Sequence, residues 1–278
     1  MKNKQTLFLS KKKLLKEAGC LDYKESAKRL FSKVFGMSLA QSYKSQIVEK
    51  SNEKASLFSE MVDLRAVGVP TSQIVCSRSF WKNDFYVDGT VLDPRPESEL
   101  IIDVTKNLLY DGMRVLDLAC RSGCIGISLY KENSNITLVL ADFSKKALSL
   151  SNKNAEELKA DCELIYSDLF SNIHTKFDLI VTNLPYIAKD DFCYLQKEVI
   201  LYEPHEALYG GRSGLDIIKL FLNRVNRHLN KNGIFVIEFG KGQDFLLKEE
   251  LLRSNFNKVC FYKDLDNVNR VVCVKKDT

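Results

Sequence analysis

From about residue 100 onward the chain alternates short apolar runs with helical stretches, and this alternation constrains the fold more than any other feature. Five β-branched apolar runs, Arg114–Ala119, Thr137–Ala141, Glu163–Tyr166, Phe177–Thr182 and Gly233–Phe239, are separated by segments with room for crossover connections. Strands covered on both faces read as continuous apolar runs, and strand–helix alternation predicts a parallel sheet wound with helices on both sides. Two further runs, Lys258–Tyr262 and Asn269–Val274, follow with little between them and predict an antiparallel hairpin at the sheet edge. The expected fold class is α/β: a seven-stranded, doubly wound, Rossmann-like sheet with an antiparallel edge strand, preceded by a small N-terminal helical bundle.

The bundle is read from helical periodicity over residues 10–70. Ser10 is expected to cap Lys11–Ala18, with Gly19 ending that helix; Asp22 opens a second, in which Ala27, Leu30, Phe31, Val34 and Phe35 recur before Gly36. A third is expected from near Ser38, and a fourth carries Ala55, Leu57, Phe58, Met61 and Val62. Val69-Pro70-Thr71-Ser72 reads as a linker. Around Asp88-Gly89, the β-formers of Phe85–Leu92 predict a hairpin. The expected organisation is a helical bundle over 1–72, a linker and β-hairpin over 73–93, and the sheet domain over 94–278.

Charge is unevenly divided. Residues 1–72 hold 14 Lys+Arg against 7 Asp+Glu, a net +7, whereas the remainder sums to −2. A basic helical front end with Lys11-Lys12-Lys13 suggests docking onto something acidic, or else a solvated face. No run approaches the roughly 18 apolar residues of a membrane span, and nothing resembles a secretory leader. The eight cysteines are scattered without a C-x-x-C pair, and His174, His205 and His228 have no metal spacing. A monomeric cytoplasmic protein without a metal is expected.

Open α/β sheets bind ligands beyond the carboxyl ends of their strands, and here several strand ends are polar. The first strand runs through Asp117 and Leu118 into Ala119-Cys120-Arg121-Ser122-Gly123, a turn that opens a helix and can present backbone N–H groups to a carboxylate. The second ends in Asp142, an acid placed to accept ribose hydroxyls or simply to cap the helix from Ser144. The third ends in Asp168-Leu169, suited to flank an adenine, and the fourth in Asn183-Leu184-Pro185-Tyr186. There the Asn183 side-chain oxygen and the Leu184 carbonyl offer two acceptors beside an aromatic ring, which suits a planar –NH2 group.

These motifs resemble the HemK family of protein-(glutamine-amide) methyltransferases. The likeness covers nearly the whole chain. It includes Pro94-Arg95-Pro96-Glu97-Ser98-Glu99 (family P-R-P-E-T-E), Asn183-Leu184-Pro185-Tyr186 (family N-P-P-Y) and Glu203-Pro204-His205-Glu206-Ala207-Leu208 with Gly210-Gly211-Arg212-Ser213-Gly214-Leu215. Glu238-Phe239-Gly240-Lys241-Gly242-Gln243 and Asn269-Arg270-Val271 also match. The N-P-P-Y element is shared with DNA and RNA amine methyltransferases; the other segments are more specific.

The resemblance implies an S-adenosylmethionine-dependent methyltransferase domain acting on the Gln of the Gly-Gly-Gln loop of peptide chain release factors, with no membrane or direct nucleic-acid partner. It places the cofactor across Ala119, Cys120, Arg121, Ser122 and Gly123, with Asp142 on its ribose, Asp168 and Leu169 beside its adenine, and Asn183 at its methyl end. Asn183, Leu184, Pro185 and Tyr186 then form the catalytic and substrate-binding element, and Glu97 and Glu99 steady the sulfonium or order their loop. Four departures stand out, at Ala119, Arg121, Leu184 and Asp93. The family's D-L-G-x-G-x-G is here Asp117-Leu118-Ala119-Cys120-Arg121-Ser122-Gly123, and a replaced glycine at positive φ costs roughly 1–3 kcal/mol. Arg121 either pairs with the cofactor's carboxylate or blocks its way in. Leu184 in place of Pro keeps the carbonyl, and Asp93 stands where an apolar residue is usual. The alternatives are a non-catalytic descendant that binds release factor or ribosome, and a nucleic-acid exocyclic-amine methyltransferase.

Overall fold

The computed structural model describes residues 4–38, 40–41 and 52–276, which fall into two compact units. One unit holds the chain up to Ser77 together with Gln196–Tyr202; the other holds Arg78–Leu195 and Glu203–Thr278. Among the described residues no helix is long and apolar enough to cross a membrane.

The first unit is helical: α1 (Lys4–Glu17), α2 (Tyr23–Phe35), α3 (Asn52–Ala66), α4 (Thr71–Val75) and a short helix, Lys197–Tyr202. Phe31 lies fully buried at its centre, met edge-on by Phe8 at 5.6 Å and Phe58 at 5.7 Å. Gly36 closes α2 at φ +66°, its N–H donating to the Ser32 carbonyl. Ser10 does not cap α1 but sits inside it, donating its hydroxyl to Leu7 O; a serine within a helix can bond back to the preceding turn instead. Asp22 likewise spends its carboxylate on Ser26 and Arg65 rather than on a capping bond. Arg65, itself buried, also pairs with Glu198 at 2.8 Å, so the 196–202 segment is stitched to the bundle through a buried guanidinium. The expected linker is in part structured, since Thr71 and Ser72 are buried at the start of α4. The expected helix from Ser38 lies almost entirely outside the described residues.

The second unit opens with a hairpin, but not the expected one. Its strands are β1 (Arg78–Phe80) and β2 (Asn83–Phe85), with Trp81 at φ +53° in the turn. Beyond Phe85 the backbone is claimed elsewhere. Asn154 takes both the N–H and the carbonyl of Tyr86, and Asp88 Oδ1 folds back onto the N–H and hydroxyl of Thr90. Asp88-Gly89 is therefore a local side-chain turn rather than a strand reversal.

The sheet follows: β3 (Arg114–Leu118), β4 (Thr137–Asp142), β5 (Cys162–Tyr166), β6 (Phe177–Thr182), β7 (Leu229–Glu238), β8 (Lys258–Lys263) and β9 (Asn269–Lys275). Spatial order is β5-β4-β3-β6-β7-β9-β8; the first five strands are parallel and the last two form the antiparallel edge. Alternate residues feed opposite faces. Val115, Leu138, Leu140 and Val181 pack with Ile125 and Ile127 of α6 (Cys124–Glu132), whereas Leu116, Val139, Ile180 and Phe235 pack with Phe221 of α8 (Asp216–Val225) and Leu247 of α9 (Asp244–Arg253). α5 (Glu99–Thr105) and α7 (Lys145–Leu158) also cover the first face. Strand order reverses between β3 and β6, which makes their carboxyl ends the switch point where such sheets hold ligands.

Candidate active site

Leu118 and Thr182 are register partners at the ends of β3 and β6, and the Thr182 hydroxyl donates to Leu118 O at 2.6 Å. The turn from Ala119 and the element from Asn183 thus leave the sheet side by side. In the β3–α6 turn Ala119 and Arg121 have φ of +58° and +55°, and Gly123 has +75°. Both positions where the family's glycines are replaced are left-handed. Gly123 is favoured chiefly by its left-handed φ, and a Cβ there would also crowd Ile127 Cδ1 at 2.9 Å and Ser151 Cβ at 3.1 Å. Asp117 anchors the turn by accepting the Gly126 N–H at 2.8 Å, and burial lifts its carboxyl to about 7. From β4, Asp142 accepts the N–H of Arg121 (2.9 Å) through one oxygen and that of Ser144 (2.8 Å) through the other; burial raises its pKa. Ser144, not Asp142, caps α7.

Ala119, Arg121, Asp142, Phe143, Pro185 and Ala207 line one cleft. Cys120, Ser122 and Gly123 are buried and do not line it. Asn154 secures the Ser122 carbonyl, and burial pushes the Cys120 thiol upward and the Cys124 thiol up to about 12, so neither is a nucleophile. Asp168 is exposed and does not line this cleft, and neither does Leu169, which is partly buried against the core at φ +47°. The exposed aromatic beside Asp142 is Phe143, which the sequence reading had not singled out.

Across the switch point, Asn183 is buried, and its Nδ2 donates to Ser98 Oγ at 2.9 Å. The Ser98 hydroxyl donates to Glu238 Oε2, and Glu238 Oε1 accepts from the Tyr186 hydroxyl at 3.0 Å. Because Ser98 gives its proton to Glu238, it can only accept from Asn183, which fixes the amide's orientation. The Asn183 Oδ1 is then buried with no partner among the described residues. Glu238 ends β7, one residue past the Thr182–Ile237 register pair, and burial raises its pKa despite its two hydroxyl donors. Burial beside Glu238 raises the Tyr186 phenol as well.

The backbone of this element is clamped from behind. Gln243 donates to Tyr186 O at 2.8 Å while accepting the Gly240 N–H, and Ile187 exchanges bonds with Leu208 and Gly210. Arg95 holds Glu203 through both carboxylate oxygens at 2.6 and 2.7 Å. Ser98 and Glu238 are thus the positioning residues that sequence reasoning passed over. Ser98 sits between two conspicuous acids, of which Glu99 serves the hairpin by accepting the Trp81 N–H. Glu238 is a polar residue at a parallel strand's end, the signal that had drawn attention to Asn183.

The methyltransferase small domain family matches residues 96–211. A release factor glutamine methyltransferase of Koribacter versatilis is 35% identical over 236 residues, 83% of either chain, and one of Cereibacter sphaeroides is 35% identical over 80% of either. Among solved structures, a methyltransferase from Pyrococcus furiosus superposes with a TM-score of 0.54 at 16% identity, over 72% of this chain and 92% of that one. That likeness is one of fold.

Proposed function

The chain belongs to the release factor glutamine methyltransferase family, and from that premise we propose that it methylates the side-chain amide nitrogen of the Gly-Gly-Gln glutamine of peptide chain release factors, using S-adenosylmethionine. The observation that carries this reading is the orphaned Asn183 Oδ1. A buried acceptor without a donor costs roughly 1–3 kcal/mol, and a substrate N–H relieves it. Asn183 Oδ1 and the Leu184 carbonyl take the two hydrogens of the substrate amide, and Pro185 and Tyr186 set the wall on which the amide and its stem lie.

The residues fit an adenosyl cofactor. Each Asp142 oxygen takes one backbone N–H and keeps a lone pair for a ribose hydroxyl, Phe143 offers a flat apolar face in the same cleft, and the left-handed turn from Ala119 opens α6. Asp168 and Leu169 belong to the adenine end in this reading, beyond the cleft that Asp142 lines. When bound, the cofactor supplies an electrophilic methyl group on a sulfonium. The chain's own contribution is orientation, because an amide nitrogen has its lone pair drawn into the carbonyl and is a poor nucleophile. Holding both N–H bonds in one plane aims the nitrogen, an effect worth up to roughly 7–11 kcal/mol when alignment is ideal. Glu238 and Tyr186 serve that alignment rather than proton abstraction, since each is already engaged with the other. The methylated nitrogen is far more acidic than the starting amide, so its proton leaves to water without a dedicated base.

The helical unit, with Lys11, Lys12 and Lys13, is the expected docking surface for the release factor. The eight cysteines are free thiols, in keeping with a cytoplasmic enzyme acting where release factors are made. The test is incubation of purified protein with a release factor and S-adenosylmethionine, followed by peptide mass spectrometry. A single methyl on the glutamine is expected, and its loss in Asn183→Ala; full methylation by that variant would refute the site.

A further inference from the structure

Arg121 departs from the family's glycine, and its placement gives it a role. Its side chain crosses the cleft, donating from Nη2 to Ala207 O at 2.8 Å. Ala119, Asp142 and Pro185 line the same cleft, which encloses only about 40 Å³. Drug- and cofactor-sized ligands occupy pockets of roughly 300–1,000 Å³. The Arg121–Ala207 bridge spans this narrow space, so in this closed arrangement a nucleoside entering beside Asp142 would have to displace it. In the closed state the guanidinium lies within electrostatic range of Glu238 and Asp142. Among the described residues its side-chain partner is the Ala207 carbonyl, and it forms no ion pair with either carboxylate. A fork of donors satisfied by one carbonyl is under-used, because guanidinium geometry suits the two oxygens of a carboxylate.

We infer that Arg121 is a carboxylate-keyed latch, a specificity-determining residue that exchanges the Ala207 carbonyl for the carboxylate of the cofactor's amino-acid tail. This rests on the cofactor reading given above. In the closed cleft Arg121 opposes every adenosine ligand; in the open one it repays only those that carry a carboxylate. Selection for the intact methionine tail follows from that exchange.

S-adenosylmethionine and its decarboxylated form differ only in the carboxylate, so calorimetric titration of both, with wild-type protein and with Arg121→Gly, isolates the interaction. Glycine at φ +55° relieves backbone strain, so the variant should fold, and its melting transition verifies this. The ratio of the two dissociation constants should fall by at least about tenfold in Arg121→Gly, equivalent to about 1.4 kcal/mol of coupling. The decarboxylated ligand itself should bind more tightly than to wild type. Arg121→Lys, which keeps the charge without the fork, should fall between. An unchanged ratio, whether both ligands tighten equally or neither moves, would overturn the latch while leaving the cofactor reading intact. Failure of both ligands to bind either folded protein would overturn the cofactor reading and the latch with it.

Discussion

Ser98→Ala tests the proposed positioning chain most directly. The hydroxyl takes the Asn183 Nδ2 hydrogen at 2.9 Å and hands its own proton to Glu238. Alanine leaves the buried Asn183 donor without a partner, at a cost of roughly 1–3 kcal/mol. In a domain of about this size, 1 kcal/mol moves the melting temperature by about 2–4 °C. A fall of about 2–12 °C is expected.

The kinetic effect should be larger than the stability effect. Without Ser98 the Asn183 amide can rotate or turn its nitrogen toward Glu238, and either motion displaces the Oδ1 acceptor. Misplacement by about 1 Å costs about 10²-fold in rate. Ser98 does not line the cleft of Arg121 and Asp142, so kcat for release-factor methylation should drop about 10²-fold while the dissociation constant for S-adenosylmethionine stays put. Glu238→Gln removes the other end of the chain. If both act through Asn183, the double variant should be no worse than the worse single, whereas independent sites would add. A folded Ser98→Ala enzyme with wild-type kcat, or strictly additive losses, would refute the reasoning.

Two further outcomes follow from the same geometry. Gly210→Ala would place a Cβ at 2.5 Å from Gly214 O and 2.6 Å from Tyr186 Cα. It should push back the 183–186 element and cost at least about 1–3 kcal/mol; unaltered methyl transfer in a fluorimetric assay would contradict that packing. Asp117 has a folded pKa of about 7 against about 3.9 unfolded. The fold therefore holds this proton more tightly, and its contribution to stability is greatest below about pH 4, falls as pH rises toward 7 and is level above, a change on the order of 4 kcal/mol. Asp117→Asn abolishes that titration, so melting curves from pH 5 to 8 should show the variant gaining on wild type as pH rises; a gap independent of pH would refute it.

The sheet was legible because its signal is physical and local. Strands buried on both faces must be apolar throughout, and β3, β4, β6 and β7 are legible for that reason, although β7 begins four residues before its predicted start; β5 and β8, at the sheet edges, are largely exposed and are legible from their β-forming residues instead. The same logic singled out Asp142 and Asn183, polar residues at strand ends that the fold places beside the switch point; Asp168, singled out the same way, is exposed and lies outside the cleft that Asp142 lines. The hairpin was misplaced because Asp-Gly reports turn chemistry without saying whether strands flank it; the competitor was Asn154, a helix side chain far along the chain. Ser98 stood inside a quoted motif, but its role was not legible, for a related reason. A buried serine between two acids has no periodicity, and its role exists only when Glu238, 140 residues away, folds beside it.

The β3–α6 turn shows how substitution and conformation are reconciled in this chain. Left-handed φ at a residue with a Cβ costs roughly 1–2 kcal/mol, yet Ala119 and Arg121 both adopt it. They can be held there because the turn is over-determined. The Cys120 N–H is fixed by the Ala141 carbonyl, the Arg121 N–H by Asp142, the Gly123 N–H by the Cys120 carbonyl and the Gly126 N–H by Asp117. Those bonds and Gly123 at φ +75° together hold the turn, so its shape does not rest on glycine at 119 or 121. Asp142 is the key member: its carboxylate accepts the Arg121 backbone N–H and so holds the turn, and the same residue lines the cleft. A glycine at 121 would make the turn easier to form but would remove the side chain that bridges to Ala207. The chain thus accepts backbone strain at the position whose guanidinium bridges to the Ala207 carbonyl.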